Sequence, residues 1–151
     1  MKLSAAARGR ARRIAMQAIY QWEVTGNALH VIDAECHVEN DMEKVDVEYF
    51  TELFHGVAKE KAELDSVFAP YLMNITMAKV DPISLATLRL AVFELKNRID
   101  VPYRVIINEA INIAKKYGAA DSHKFINGML DKVALQLREA EVLDNKNKKR
   151  K

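Results

Sequence analysis

The sequence predicts an all-α fold of about seven helices. Apolar residues recur at spacings of three and four, the period of one helix face, in segment after segment. Only 3 prolines and 5 glycines interrupt 151 residues, which favours long helices over many short strands. Half of the residues are hydrophobic and 29% are charged, enough for one well-filled core without disulfide staples.

The elements follow in order. Ala11, Ala15, Ala18 and Trp22, with Ile14 and Ile19 beside them, mark a first helix starting near Arg8 and ended by Gly26 and Asn27. Leu29, Ile32 and Cys36 mark a short second helix, and residues 41–46 a polar connection. Phe50, Leu53, Phe54 and Val57 begin a third helix near Asp46. It, or a successor after a break, runs through Leu64, Val67 and Phe68 towards Pro70. Asp81-Pro82 is an N-cap acid followed by proline at the first helical position. Leu85, Leu88, Val92 and Leu95 follow, while Ile83, Ala86, Leu90, Ala91 and Phe93 make the other side apolar too. Such a helix belongs at the centre of a bundle. Pro102 stops any continuation. Val105, Ile106, Ala110, Ile113 and Tyr117 form the next helix, with Gly118 in the position of a C′ glycine. Asp121 or Ser122 caps a last helix bearing Phe125, Ile126, Met129, Val133 and Leu137. Gly128 inside it costs about 1 kcal/mol relative to alanine; close packing or the close approach of a ligand would account for it. The reading is one helical domain over 1–145 and a basic tail, 146–151, expected to be disordered.

The net charge of +2 conceals an asymmetry. Residues 1–13 carry Lys2, Arg8, Arg10, Arg12 and Arg13 and no acid; residues 14–70 carry twelve acids and three bases; the tail is wholly basic. Basic ends on an acidic body suit a polyanion that touches part of the surface, or termini that are basic for solubility alone. Cys36 is the single cysteine, which fits a reducing cytoplasm, and no run is long and apolar enough to span a membrane.

Few residues are candidates for chemistry. Asp121-Ser122-His123 has the residue types of a hydrolase triad, but adjacent residues at a helix start do not face one another, so capping is the simpler reading. His30, Asp33, Cys36 and His37 match no zinc spacing, and no phosphate-cradling glycine loop is present. We therefore expect no catalytic residue, no metal and no cofactor. If the first helix begins near Arg8, its arginines fall opposite Ala11 and Ala15, a cationic collar on the first two turns. Cations at a helix N-terminus oppose the macrodipole, so an anionic partner explains them better than helix stability does; the alternative is a frayed, solvated end. Lys124 and Phe125 pair a phosphate-binding charge with a ring, although Phe125 equally suits the core. Glu109, set among apolar residues, is a candidate buried acid with Arg89 as its partner.

Several strings resemble the NusB family of transcription antitermination factors. Residues 12–22, RRIAMQAIYQW, are similar to its first helix; residues 100–110, DVPYRVIINEA, to a characteristic turn and helix. Residues 115–118 and 121–132, KKYG and DSHKFINGMLDK, form the most specific block, and DVEYF (46–50) and LRLAVFEL (88–95) also match. The resemblance covers about 8–138. It implies two packed helical sub-bundles and a cytoplasmic, non-catalytic factor. It also implies binding of single-stranded boxA-type RNA from ribosomal RNA operon leaders together with NusE, a small-subunit ribosomal protein, on RNA polymerase with other Nus factors. Arg8, Arg10 and Arg12 match its arginine-rich start, to which Lys2 and Arg13 add charge. Lys124 and Phe125 match its second RNA-contacting element, beside which Asp121 would repel phosphate, and Tyr20 falls where a partner-protein surface begins. Gly9 departs from the denser basic run of the family. NusB-like domains also occur fused to RNA methyltransferases, but this chain is too short for such a catalytic domain. A protein-binding adaptor and a DNA-binding protein are the other readings; preference for single-stranded RNA, with salt dependence, discriminates against both.

Overall fold

A computed structural model of the protein describes residues 4–149. Among the described residues seven α-helices form: α1 (Ala5–Thr25), α2 (Leu29–Glu39), α3 (Val47–Phe68), α4 (Pro82–Asn97), α5 (Tyr103–Tyr117), α6 (Ser122–Leu137) and α7 (Glu139–Lys149). Three short 3-10 turns lie in the connections, and there is no strand among the described residues. The helix ends obey local chemistry. Ser4 caps α1, its Oγ accepting from the Ala7 amide at 3.1 Å, and Gly26 closes it in the left-handed region at φ 70°. Asp46 and Asp81 cap α3 and α4 in the same way. The third apolar segment is one unbroken helix of 22 residues.

Helix α1 packs on α2, α3 and α4; α5 and α6 pack on each other and on α4. Helix α4 therefore belongs to both halves, and every residue from Ser84 to Leu95 is buried. Helix α3 approaches it closely at Gly56: a Cβ there would lie 2.4 Å from the Phe93 ring, so α3 and α4 touch at a point where no side chain fits. Gly128 is the opposite case, exposed and with open space around it, so packing does not explain it.

Three expectations need correction. Gly118 ends α5 in an extended conformation (φ −88°, ψ 172°), and the left-handed residue is Asp121 (φ 65°), whose side chain makes no cap bond. Glycine is needed at 118 for room: a Cβ would meet the Ser122 Oγ at 2.4 Å. From 146 to 149 the basic tail is helical rather than irregular, as the end of α7, and residues 150 and 151 lie outside the described residues. Helix α7 is tied down by Arg138 and Glu141, by Asn145 donating to the Tyr103 hydroxyl at 3.1 Å, and by the Lys148–Asp144 pair one turn apart. Arg89 does not pair with Glu109. It is 2.8 Å from both oxygens of Asp65 and 3.1 Å from Glu23, because those acids on α3 and α1 flank α4 at its level.

Two consequences are measurable. Gly56→Ala places a methyl inside the Phe93 ring; overpacking of about 1–3 kcal/mol exceeds the helix-propensity gain of about 1 kcal/mol. Its urea midpoint is expected to fall, whereas Gly128→Ala raises it. Burial, with Asp33, Glu39 and Glu35 nearby, pushes the Cys36 thiol up to about 11. At pH 8 only about one molecule in a thousand then carries the thiolate. Alkylation by iodoacetamide should be negligible in the native protein and rapid in urea; prompt native labelling would contradict this burial.

Candidate nucleic-acid interface

The first turns of α1 carry four arginines and no acid. The structure separates their roles. Arg12 is buried, its Nε 2.8 Å from Glu94 Oε1 and its Nη2 2.9 Å from Oε2, while the Tyr49 hydroxyl donates to the same carboxylate. Arg12 was expected on the solvent side; it points inward because α1 is covered by three neighbouring helices, so its buried arc is wider than the alanine stripe. Burial alone would lower the pKa of Arg12, but the hydrogen bond and charge of Glu94 more than offset it and the net shift is upward. Tyr49 is raised by its burial and then by the adjacent Glu94. Arg12 is thus an interior residue held by Glu94, on the inner wall of the cleft beside Arg8.

The other three remain at the surface. Arg8 lies over the Tyr49 ring, 4.6 Å from its centroid, with Arg98 over the same ring at 4.9 Å. Its Nε is 3.8 Å from Asp46 and its side chain is about one-third exposed. Arg10 is half-buried and donates to the Lys44 carbonyl at 3.1 Å. Arg13 is half-buried and reaches back beside Gly9, where a Cβ would lie 3.6 Å from its Nη1 and from Glu109. Gly9 is buried beside this carboxylate. Arg8 borders a cleft of about 590 Å³ that continues to Pro102 and Val105 at the start of α5. Lys2 lies outside the described residues.

The second element sits at the other end of α5. Lys124 is well exposed and forms a loose 3.4 Å pair with equally exposed Asp121. Phe125 is half-buried: one face packs on the core, and the other lines a groove of about 340 Å³ with Ile75, Val80, Ser84 and Ala119. The Ser84 and Ser122 hydroxyls on this groove are buried without a hydrogen-bond partner. The arginines and Phe125 are thus not one pocket. They are separated by the 15 residues of α5, about 22 Å, with exposed Lys115 and Lys116 near its C-terminus. These two lysines were passed over in the sequence because they sit among helix-ending signals. Tyr20 is 37% exposed on α1, one turn before Val24 at 57%.

The sequence model of the NusB family matches residues 9–135. A protein of Saccharophagus degradans named transcription antitermination protein NusB is 66% identical over 142 residues, covering 94% of this chain and 95% of its own. The chain belongs to the NusB family. The solved structure of T. maritima NusB is 32% identical and superposes with a TM-score of 0.75 over 89% of this chain and 92% of its own. A further structure, of antitermination factors NusB and NusE in complex with dsRNA, has a TM-score of 0.77 over 86% of this chain and 97% of that one. At 22% identity it attests the all-α NusB fold alone.

The division among arginines predicts different outcomes for similar substitutions. Arg12→Ala leaves Glu94 buried without its counter-ion and should cost about 3–5 kcal/mol in denaturant unfolding. Arg8→Ala and Arg10→Ala, at the surface, should each cost under about 1 kcal/mol. Equal losses at positions 8 and 12 would refute the assignment.

Proposed function

We propose that this NusB-family protein is a non-catalytic, cytoplasmic transcription antitermination factor. It binds single-stranded boxA-type RNA of ribosomal RNA operon leaders together with NusE, and the pair joins RNA polymerase with other Nus factors to suppress termination. The observation that carries the RNA reading is the group Arg8, Arg10 and Arg13. These side chains remain accessible on helical turns whose macrodipole disfavours cations, with no acid in the first turn to compensate. Arg8 is already seated over Tyr49 and only loosely paired with Asp46 at 3.8 Å, so a phosphate can compete for it with little further loss of freedom. Lys124 and the open face of Phe125 offer a second phosphate contact and a stacking surface.

The names of the relatives favour antitermination, and the similar structure of NusB and NusE with dsRNA makes NusE the partner to test. On this chain exposed Tyr20 and Val24 on α1 offer it an apolar contact. A strand reaching from Arg8 to Phe125 follows α5 and passes Lys115 and Lys116, which adds both lysines to the proposed contact set.

The test is fluorescence anisotropy with labelled boxA-type RNA, a scrambled strand and an RNA duplex, across salt and with or without NusE. BoxA RNA should bind most tightly, and NusE should strengthen it. Arg8→Ala or Arg10→Ala should flatten the log–log salt slope by about 0.7 each, and Phe125→Ala should cost about 1–3 kcal/mol of binding. Equal, salt-insensitive binding of boxA and scrambled RNA, with NusE still captured, would replace this reading by a protein adaptor.

A further inference from the structure

A second groove lies between α5, α6 and α7, away from the Phe125 groove, with a volume of about 310 Å³. Its apolar part comes from Tyr103, Ile107 and Ile111, and its polar part from Asn108, Asn127 and Asp131. The Tyr103 ring is half-buried, and its hydroxyl is fixed by the Asn145 amide at 3.1 Å. Asn108, Asn127 and Asp131 are exposed, and none forms a side-chain hydrogen bond or ion pair among the described residues. Their hydrogen-bonding groups are therefore uncommitted.

The charge of this groove is balanced, whereas the cleft beside Arg8 and Arg12 also carries Asp46, Glu48, Asp100 and Glu109. Arg104 and Asp131 balance each other, and the remaining polar groups are neutral amides. Such a lining is a poor phosphate site. It suits a flat heteroaromatic ring with a mixed donor and acceptor edge: an apolar floor for the ring face, asparagine amides and a carboxylate for the edge. Gly128 is an independent observation. It lies beside Asn127 on the exposed side of α6, has open space where a Cβ would go, and has no packing role. It leaves bare helix backbone between Lys124 and Asp131, which share its face of the helix. Arg104 at the mouth of the groove adjoins Val105 in the cleft under Arg8, so the groove borders the proposed RNA path.

We propose that Asn108, Asn127 and Asp131 form a base-reading subsite in which one unstacked nucleobase of the RNA sits on the Tyr103–Ile111 floor. The inference rests on the RNA reading above and adds sequence discrimination to it. Asp131, as an acceptor, favours a base that presents an exocyclic amine.

The experiment is an abasic scan. A boxA-type RNA is synthesised with one base removed at each position in turn, and each strand is titrated into wild type, Asn127→Ala and Gly128→Gln by anisotropy at two salt concentrations. Asn127→Ala should weaken intact RNA about tenfold with an unchanged salt slope. At one abasic position wild type and variant should bind alike, because the partner base is already gone. Gly128→Gln should weaken binding while raising the thermal midpoint, which separates blocked access from lost folding. Wild-type affinity for intact RNA, or a loss from Asn127→Ala that persists at every abasic position, overturns the subsite and leaves the arginine-based reading standing. Intact RNA affinity with lost NusE binding assigns the groove to protein instead, and also overturns it. Failure of wild type to bind any of the strands removes both readings together.

Discussion

Helix α4 has no solvent face from Ser84 to Leu95, and the rest of the structure answers that constraint. A helix surrounded on all sides can carry charge only where a neighbour supplies the opposite sign and fills the remaining hydrogen bonds. Arg89 and Glu94 are such charges. Arg89 draws Asp65 from α3 and Glu23 from α1; Glu94 draws Arg12 from α1 and Tyr49 from α3. The two sets lie five residues apart on α4 and fix α1 and α3 in register against it. Removing Arg12 or Asp65 strips a buried charge of its main partner, so these groups specify one arrangement even though apolar replacements could be equally stable.

The same pairing explains much of the charge asymmetry along the chain. Acids from residues 14–70 meet bases from the second half: Glu60 and Glu63 hold Lys96 at 2.6 and 2.7 Å, and Glu52 holds Arg98 at 2.7 Å. Arg98 in turn pulls Asp100 down to about 2, chiefly through its hydrogen bonds. That pairing persists above the ordinary carboxylate range and is lost only as pH falls through about 2. Part of the acidic body, Glu23, Glu52, Glu60, Glu63 and Asp65, is thus counter-charge for bases of the second half.

Tyr49 links the interior to the surface. Its hydroxyl completes the Glu94 site, and its ring carries Arg8 and Arg98 on its face. An arginine proposed to meet RNA is therefore seated on the same residue that closes the core. Arg138 does comparable work at the C-terminal end of α4, next to the Glu94 site. It donates to the carbonyls of Leu95, Val101 and Arg98 and to Glu141, so the α4–α5 turn and α7 hold each other.

The sequence by itself determined α1 to α6, the ends at Gly26 and Asp81 and the central place of α4, because apolar periodicity and capping act over a few residues; α7 and the conformations of Gly118 and Asp121 were not legible in it. It also carried the family, through strings such as DSHKFINGMLDK. Only the tertiary structure decided which charges are partners. Arg12 and Arg8 are four residues apart on one basic helix turn, yet one is internal and the other accessible, because α3 and α4 both pack on α1 and widen its buried arc. Arg89 met Asp65 rather than Glu109, and Gly56 rather than Gly128 proved to be the packing glycine, for the same reason. Pairing and contact depend on which helices become neighbours, over separations of 24 to 82 residues that no local pattern encodes.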